Sequence, residues 1–262
     1  MRYRAAMLAG VLAGLVWAAA SPGSAAGYLD PKTAPDMVQV LPAPPAAGTG
    51  VAADDAKAFA ATRSLEGQPR WDLATSDVDQ SSEAVFLDFA CALGVTLDDG
   101  SGATMKAIYD KLRVDARAFV DPPKDHWARP RPYLSQPGDI CVEKVDSLAK
   151  SASYPSGHST LSWAWGLILA ELAPDRATEI LSRARVYAES RVVCGVHYPS
   201  DIEAGRTNGS ALVAALHANP DFRADMDKAR AELAAARKAG SSVPPNPDRC
   251  LIEKDAEAHR PW

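Results

Sequence analysis

The sequence lacks the features that would fit it for a nucleic-acid or membrane partner. Acidic residues outnumber basic ones by 33 to 28, which gives a formal charge of −5, whereas both kinds of partner require a basic face. Beyond the N-terminus the best apolar run, 161–173, contains Glu171 and is shorter than the ~20 residues that cross a bilayer. We therefore expect no nucleic-acid partner and no membrane span.

Sustained β-strand alternation and internal repeats are also missing. Apolar residues instead recur at steps of three and four, which is typical of amphipathic helices. This spacing predicts helices over 54–65, 79–93, 104–119, 159–172, 176–191, 201–216 and 222–239. The sequence Asp121-Pro122-Pro123 is expected to stop the third of them. The predicted fold class is all-α, a single-domain helical bundle with an extended N-terminal arm.

The first residues have the features of a secretory signal peptide. Arg2 and Arg4 precede an apolar run, and small residues at 24–26 form a cleavage site. Removing these two arginines changes the formal charge from −5 to −7. We divide the chain into a signal peptide (1–26), an extended Pro/Ala-rich arm (27–53), a helical domain (54–240) and a C-terminal tail (241–262). The mature protein is expected to be periplasmic or secreted.

Cysteine is scarce, and its four positions are informative. An even number in an exported chain favours disulfides over metal binding or free thiols, and three pairings are possible. We prefer Cys141 with Cys194, because this bridge would tie the loop that follows Pro132 to the stretch that contains His197. Cys91 would then pair with Cys250 and tether the tail. Peptide mapping that joined Cys91 to Cys141 would overturn this hypothesis.

The stretch 190–201, SRVVCGVHYPSD, combines Arg191, His197 and Asp201. A neutral imidazole can attack phosphorus if a carboxylate holds its other ring nitrogen, and Asp201 follows His197 by four residues. A histidine near an aspartate is more often a structural pair. The functional interpretation therefore requires the rest of a site elsewhere in the chain.

Two further stretches could supply that site. In YPSGHS, Ser156 and Gly157 lie at a predicted helix N-terminus, where backbone N–H groups can bind an anion, and His158 stands beside it as a proton donor. In KDHWARPRP, Lys124 and Arg131 offer positive charge, and two prolines stiffen the backbone around Arg131. Separately, the first could be an ordinary helix start and the second a solvated basic turn.

Together the three stretches resemble the signature of the type 2 phosphatidic acid phosphatase superfamily. Every fixed position is filled in order: Lys124, six residues, Arg131-Pro132; Pro155-Ser156-Gly157-His158; Ser190-Arg191, five residues, His197, three residues, Asp201. Within the superfamily the chain is most similar to the class A nonspecific acid phosphatases of bacteria, from about residue 35 to about residue 236. The resemblance implies a helical bundle of the acid phosphatase and vanadium haloperoxidase type.

The resemblance also implies roles for individual residues. His197 would be the nucleophile, Asp201 would orient it and His158 would protonate the leaving group. The phosphoryl group would be bound by side chains and by the backbone N–H groups of Ser156 and Gly157; the phosphate-binding set is Lys124, Arg131, Ser156, Gly157 and Arg191. Three residues are second choices: Arg129 to reinforce the pocket, Ser190 to support it by hydrogen bonding, and His126 at the surface.

The implied activity is hydrolysis of a broad range of small phosphomonoesters through a phosphohistidine, with an acidic to neutral pH optimum. No metal or other cofactor is expected, inorganic phosphate and vanadate are expected inhibitors, and a homo-oligomer is implied. Two alternatives remain open: a vanadate-dependent haloperoxidase, which has the same anion clamp, and an exported phosphate-binding protein without catalysis. Bromide oxidation after vanadate addition would favour the first, and phosphate binding without turnover would favour the second.

Overall fold

The computed structural model describes residues 26–97, 100–239 and 245–262, so the predicted signal peptide lies outside the described residues except for Ala26. These ranges are helical and contain no β-strand, which confirms the all-α class. Their α-helices are α1 (Met37–Val40), α2 (Gly50–Thr62), α3 (Pro69–Ser76), α4 (Ser82–Leu93), α5 (Ala103–Trp127), α6 (Asp146–Lys150), α7 (Gly157–Leu172), α8 (Ala177–Val193), α9 (Pro199–Leu216), α10 (Pro220–Ala239) and α11 (Pro247–Ala258). Short 3₁₀ turns cover Arg63–Leu65, Pro132–Leu134 and Pro174–Arg176.

Helix α7 lies at the centre of the bundle and packs against α5, α8, α9 and α10. Its apolar residues belong to one large core in which Trp165 stacks on Phe86. Glycines let the neighbouring helices approach closely. A Cβ added to Gly166 would lie 2.5 Å from the Cβ of Ala184 on α8, and one added to Gly209 of α9 would lie 2.6 Å from the Thr160 carbonyl. The Gly166 contact thus holds the middle of α7 against α8, and the Gly209 contact holds the N-terminal end of α7 against α9.

Helix α5 continues past the position where the sequence predicts its end. It runs to Trp127 with Pro122 and Pro123 inside it, although proline cannot donate to the carbonyl four residues earlier. The carbonyl that Pro123 leaves free belongs to Phe119, and the side chain of Asn208 on α9 donates to it at 2.7 Å. A tertiary contact thus replaces the lost helical bond, and Lys124 is held on a helix instead of in a loop.

The described residues contain more helix than expected in the arm, after α2 and in the tail. The arm includes α1, and α2 begins at Gly50, before the predicted start at residue 54. Helix α3, between Pro69 and Ser76, was not predicted. The tail contains α11, whose N-cap Asn246 accepts from the N–H groups of Asp248 and Arg249, with proline at the first helical position. That Asn-Pro-Asp sequence was a usable signal for a helix start.

The structure pairs Cys141 with Cys194 and Cys91 with Cys250, with Cα–Cα distances of 4.8 Å and 5.4 Å. The preferred pairing is therefore confirmed. One bridge joins the loop that follows Pro132 to the end of α8, and the other joins α4 to α11. Both close long stretches of chain, so each restricts the unfolded state more than a local link would.

Candidate active site

The predicted site residues converge at helix ends and in two connecting loops. Five of them line one cavity of about 580 Å³: Lys124 in the last turns of α5, Arg131 after it, Gly157 and His158 at the start of α7, and His197 between α8 and α9. The remaining wall comes mainly from α5, together with Gln80 and Leu161. The five predicted residues, which span positions 124 to 197 of the sequence, thus face the same space.

His197 is almost completely buried, with 2% of its surface exposed. Its Nδ1 lies 3.4 Å from Asp201 Oδ2, and its Nε2 lies 3.1 Å from Arg131 Nη1. Burial, followed by the charges of Arg131 and Lys124, holds the pKa of His197 well below its ordinary value. The imidazole is therefore neutral at neutral pH, and because Arg131 can only donate, the proton is on Nδ1 and the Nε2 lone pair accepts from Arg131 Nη1.

A chain of charges behind His197 fixes Asp201. Besides meeting His197, Asp201 Oδ2 accepts from the N–H of Tyr198 at 2.8 Å, and its Oδ1 accepts from Arg129 Nη1 at 2.6 Å. Arg129 also donates to Asp55 Oδ2 at 2.9 Å, and Asp55 Oδ1 accepts from the N–H of Ser200 at 3.0 Å. Arg129 thus supports the site from behind and does not line the cavity.

Opposing effects act on the pKa values in this chain. Burial raises the pKa of Asp201, and Arg129 partly counters it. Burial lowers the pKa of Arg129, but Asp201 and Asp55 more than offset this and leave it raised. Asp55 was missed by sequence reasoning, because nothing in the local sequence of α2 links it to a histidine more than one hundred residues away.

Arg131 and Lys124 are held by backbone carbonyls. Arg131 Nε donates to the carbonyls of Leu148 and Ser151 at 3.0 and 2.9 Å, and its Nη1 donates to that of Val196 at 2.9 Å. Lys124 Nζ donates to the carbonyl of Ala152. Burial, followed by the charge of Arg131, lowers the pKa of Lys124 to about 7.

The N-terminus of α7 agrees only partly with its predicted use. Ser156 is the N-cap, as the sequence indicates, and its Oγ accepts from the N–H of Ser159 at 3.3 Å. Its own backbone N–H, which the sequence predicts to bind an anion, donates to the carbonyl of Asp201 at 3.0 Å in this structure. The groups that remain for an anion are the Ser156 hydroxyl hydrogen and the N–H of Gly157, which has no intrahelical acceptor.

His158 lies on the cavity wall, with Nε2 3.1 Å from the carbonyl of Val78. That carbonyl can only accept, so Nε2 carries the hydrogen and Nδ1 is the nitrogen that exchanges a proton. Burial lowers the pKa of His158 well below its ordinary value, and the charge of Arg191 is the next contribution.

Arg191 lies in the last turn of α8 with 3% of its surface exposed. Its Nε and Nη1 have no hydrogen-bond partner among the residues that the structure describes. Buried donors are nearly always paired in proteins, so two unpaired ones on a single guanidinium indicate a ligand-binding role. Arg191 does not line the cavity itself, but its charge acts on both His158 and His197.

The two remaining second choices lie apart from the cavity. Ser190 Oγ lies 2.6 Å from Asp77 Oδ2 and accepts from Arg70 Nη1 at 3.0 Å, so it ties α8 to α3 and its flank. His126 is exposed and packs edge-on against Trp127. No group of three or more His, Cys, Asp or Glu side chains suited to a metal ion occurs in the described ranges, and no described helix is long and apolar enough to span a membrane.

Known proteins resemble this chain over most of its length. Residues 114–224 match the PAP2 superfamily. An acid phosphatase of Zymomonas mobilis is 40% identical over 84% of this chain and 83% of its own length. Non-specific acid phosphatases of Providencia stuartii and Salmonella typhi are 32% and 31% identical, over 80% and 74% of this chain and 86% and 78% of their own lengths.

A solved structure, of the first transmembrane PAP2 type phosphatidylglycerolphosphate phosphatase from Bacillus subtilis, shares 17% identity and a TM-score of 0.49 over 70% of this chain and 89% of that one. The matched family segment spans the predicted site residues from Lys124 to Asp201. The identities of the full-length relatives, at 31–40%, show the family. The chain belongs to the PAP2 superfamily and, within it, to the nonspecific acid phosphatases.

Proposed function

We propose that the protein is an exported acid phosphatase that hydrolyses a broad range of phosphomonoesters through a phosphohistidine on His197. The observation that carries the proposal is the state of this imidazole. It is buried and neutral, a carboxylate faces Nδ1, Nε2 accepts from Arg131, and the ring lines a cavity that is also lined by Lys124, Arg131 and His158. A neutral imidazole oriented in this way is a nucleophile, and the surrounding cations stabilise the phosphoryl oxygens.

The first step transfers the phosphoryl group to the enzyme. Nε2 of His197 bonds to phosphorus while the bond from phosphorus to the ester oxygen breaks, and His158 gives the leaving oxygen a proton. Asp201 stabilises the positive charge that develops on the ring of His197. Lys124, Arg131 and Arg191 bind the equatorial oxygens together with the Ser156 hydroxyl and the Gly157 N–H, so the proposal requires no metal.

The second step returns the enzyme to its starting state. A water molecule attacks phosphorus, His158 takes a proton from it, and the bond from phosphorus to Nε2 breaks to release inorganic phosphate. His158 must be protonated at first, although burial and, after it, nearby positive charges lower its pKa in the unliganded site. A bound phosphate dianion counters those charges and favours the protonated ring. Opposite requirements on His197 and His158 give a rate maximum, which we place at acidic to neutral pH.

Trapping of the intermediate tests this mechanism. Acid quench of the enzyme with a ³²P-labelled ester, followed by peptide mapping, should place an alkali-stable, acid-labile phosphate on His197. His197→Ala should lose the label and turnover, and His259→Ala, at a side chain that is 74% exposed, should keep both. Normal turnover by His197→Ala would exclude the mechanism.

Export, inhibition and assembly belong to the same proposal. Two disulfides suit an oxidising compartment, and the N-terminal sequence suits cleavage after residue 26. The N-terminal residue of protein recovered from the periplasm or medium checks the cleavage. We also propose competitive inhibition by phosphate and vanadate, and a homo-oligomer assembled with the help of the arm, 27–53. Inhibition kinetics and the mass in solution of a protein lacking 27–36 test these two points.

A further inference from the structure

The wall of the cavity beyond the phosphate-binding groups carries two arginines that the proposed mechanism does not use. Arg113 and Arg117 lie on α5, are exposed, and line the same cavity as His158 and His197. Neither forms an ion pair or a hydrogen bond with a residue that the structure describes. Two unpaired guanidinium groups inside the substrate cavity of a net acidic chain are available for an anion.

Helical geometry places these arginines in line with Lys124. At about 100° per residue, positions 113, 117 and 124 fall within about 40° of one another around the helix axis. At about 1.5 Å per residue, Arg117 lies about 10 Å and Arg113 about 16 Å along the axis from Lys124. The face of α5 that ends at the proposed phosphate site therefore continues outward as a row of positive charge.

Negative groups on the same wall only partly oppose this charge. Asp110 lines the cavity, but its Oδ2 lies 3.7 Å from Lys106 Nζ. Asp121 also lines the cavity and acts on Lys124. Lys106 also lies 2.8 Å from Glu83, so it does not cancel the charge of Asp110. The row of Arg113, Arg117 and Lys124 still exceeds Asp110 and Asp121 by one formal charge.

We propose that Arg113 and Arg117 form a second anion subsite, and that the preferred substrates are phosphomonoesters whose alcohol part carries a further anionic group about one sugar length from the scissile phosphate. This inference rests on the proposed function, since it assumes that the scissile phosphate binds beside His197 and Lys124. A second phosphate and a carboxylate share the required chemistry. A pyrophosphate is too short, because its two phosphorus atoms are far closer together than the ~10 Å that separates Lys124 from Arg117 along the helix.

Steady-state kinetics with three sugar phosphates test the subsite. Glucose 6-phosphate has no second anion, fructose 1,6-bisphosphate has a second phosphate, and 6-phosphogluconate has a carboxylate. For the wild type we expect kcat/KM to be roughly three- to tenfold higher for the two substrates with a second anion, the range that two exposed ion pairs supply. The difference should lie in KM, because a remote contact binds ground state and transition state alike, and it should shrink in 0.5 M salt.

Matched variants assign the preference to these residues. Arg113→Gln with Arg117→Gln should bring the three kcat/KM values within about twofold of one another while glucose 6-phosphate turnover is retained. The control Lys32→Gln with Lys254→Gln removes the same charge at two exposed residues that line none of the described pockets, and should keep the preference. Asp121→Asn should increase it. Preference for the bisphosphate alone would restrict the second group to phosphate.

Binding separates failure of this inference from failure of the proposed function. Calorimetry in a His197→Ala background, with inorganic phosphate and the same sugar phosphates as probes, measures affinity without turnover. Phosphate binding with no gain for the second anion, or a gain that survives loss of both arginines, overturns the subsite. If the wild type neither binds phosphate nor hydrolyses glucose 6-phosphate, the proposed function fails and the subsite fails with it.

Discussion

Two buried arginines on α8, Arg183 and Arg191, lie eight residues apart. They differ in whether their guanidinium groups have hydrogen-bond and ion-pair partners. Arg183 donates to both oxygens of Asp77 and to the carbonyl of Asp88, and its Nε lies 3.4 Å from Glu253. Burial lowers its pKa, but these carboxylates more than compensate and leave the pKa raised.

For Arg191, nearby charges do not offset the effect of burial, and the pKa falls to about 10. Its Nε and Nη1 also lack a hydrogen-bond partner in the described part of the chain. We propose that the two arginines of this helix serve different purposes. Arg183 joins α8 to α3, α4 and α11, so its pairing stabilises the fold. Arg191 remains charged at neutral pH without that compensation, an arrangement that is unfavourable for stability and that an anionic ligand would relieve.

The largest expected effects come from substituting the two arginines separately. Arg183→Met should lower the free energy of unfolding by ~3–5 kcal/mol, because it leaves Asp77 buried without its main partner. Activity per folded molecule should stay near that of the wild type. Arg191→Met should instead reduce kcat/KM by about 10²- to 10³-fold, the usual cost of losing one donor to a developing oxyanion. Its free energy of unfolding should be unchanged or higher.

Denaturant unfolding and p-nitrophenyl phosphate kinetics measure both quantities for both variants. Arg191→Lys serves as the conservative variant and should recover part of the activity, since it keeps the charge but not the guanidinium fork. The comparison fails if Arg191→Met loses stability as Arg183→Met does while its activity persists.

The second-largest effect is expected at Asp55, in the ion-pair network behind His197. Arg129 pairs with both Asp55 and Asp201. Asp55→Asn keeps the shape of the side chain but removes the negative charge of the first of these two partners. A small displacement of Asp201 would misalign His197, so we expect kcat to fall by about ten- to a hundredfold. KM should change little, because Asp55 does not line the cavity.

The matched control for Asp55→Asn is Asp54→Asn at the preceding residue, where the side chain is 75% exposed and pairs only with Lys57. It should behave like the wild type. Equal losses in kcat and in the folded fraction for Asp55→Asn would assign Asp55 a purely structural role.

The contrast between local and distant contacts explains how much of this molecule could be predicted. The motif residues fall at helix ends because Ser156 is a good N-cap and Tyr198-Pro199 begins α9, and such signals are local. The length of α5 depends on Asn208 of another helix, and the support of Asp201 depends on Asp55 in α2. No local pattern contains these contacts. The hydrogen bond from the backbone N–H of Ser156 to the carbonyl of Asp201 is another distant contact of this kind.

A smaller effect is expected at Lys124. As for Arg191, nearby negative charges do not offset the lowering of its pKa by burial. Its pKa of about 7 lies below the ordinary value for lysine, so its charge is present below pH 7 and is lost as the pH rises through 7. We expect kcat/KM, which reports the free enzyme, to fall above pH 7. Lys124→Arg should move this alkaline limb upward by at least about one pH unit, since arginine stays charged. A limb that does not move would assign the decline to another group, such as His158.

The smallest effect is expected in the Arg183 cluster, at Asp88. Burial, followed by the charge of Asp77, raises its pKa to about 7, although Arg183 and Arg249 act in the opposite direction. Its Oδ2 has no hydrogen-bond partner among the described residues. The folded state therefore binds more protons than the unfolded state between about pH 4 and pH 7, and stability falls as the pH rises through that window.

Asp88→Asn tests this assignment, because an amide does not titrate. From pH 5 to pH 7.5 the wild type should lose on the order of 1 kcal/mol of unfolding free energy from this group, and Asp88→Asn should remove that part of the decline. A residual slope in the same direction should remain, because burial also raises the pKa of Glu253. Asp227→Asn, at a side chain that is 81% exposed, should keep the full decline. An unchanged slope in Asp88→Asn would mean that Arg249 and Arg183 fully compensate Asp88, and the decline would then be assigned to other groups such as Glu253.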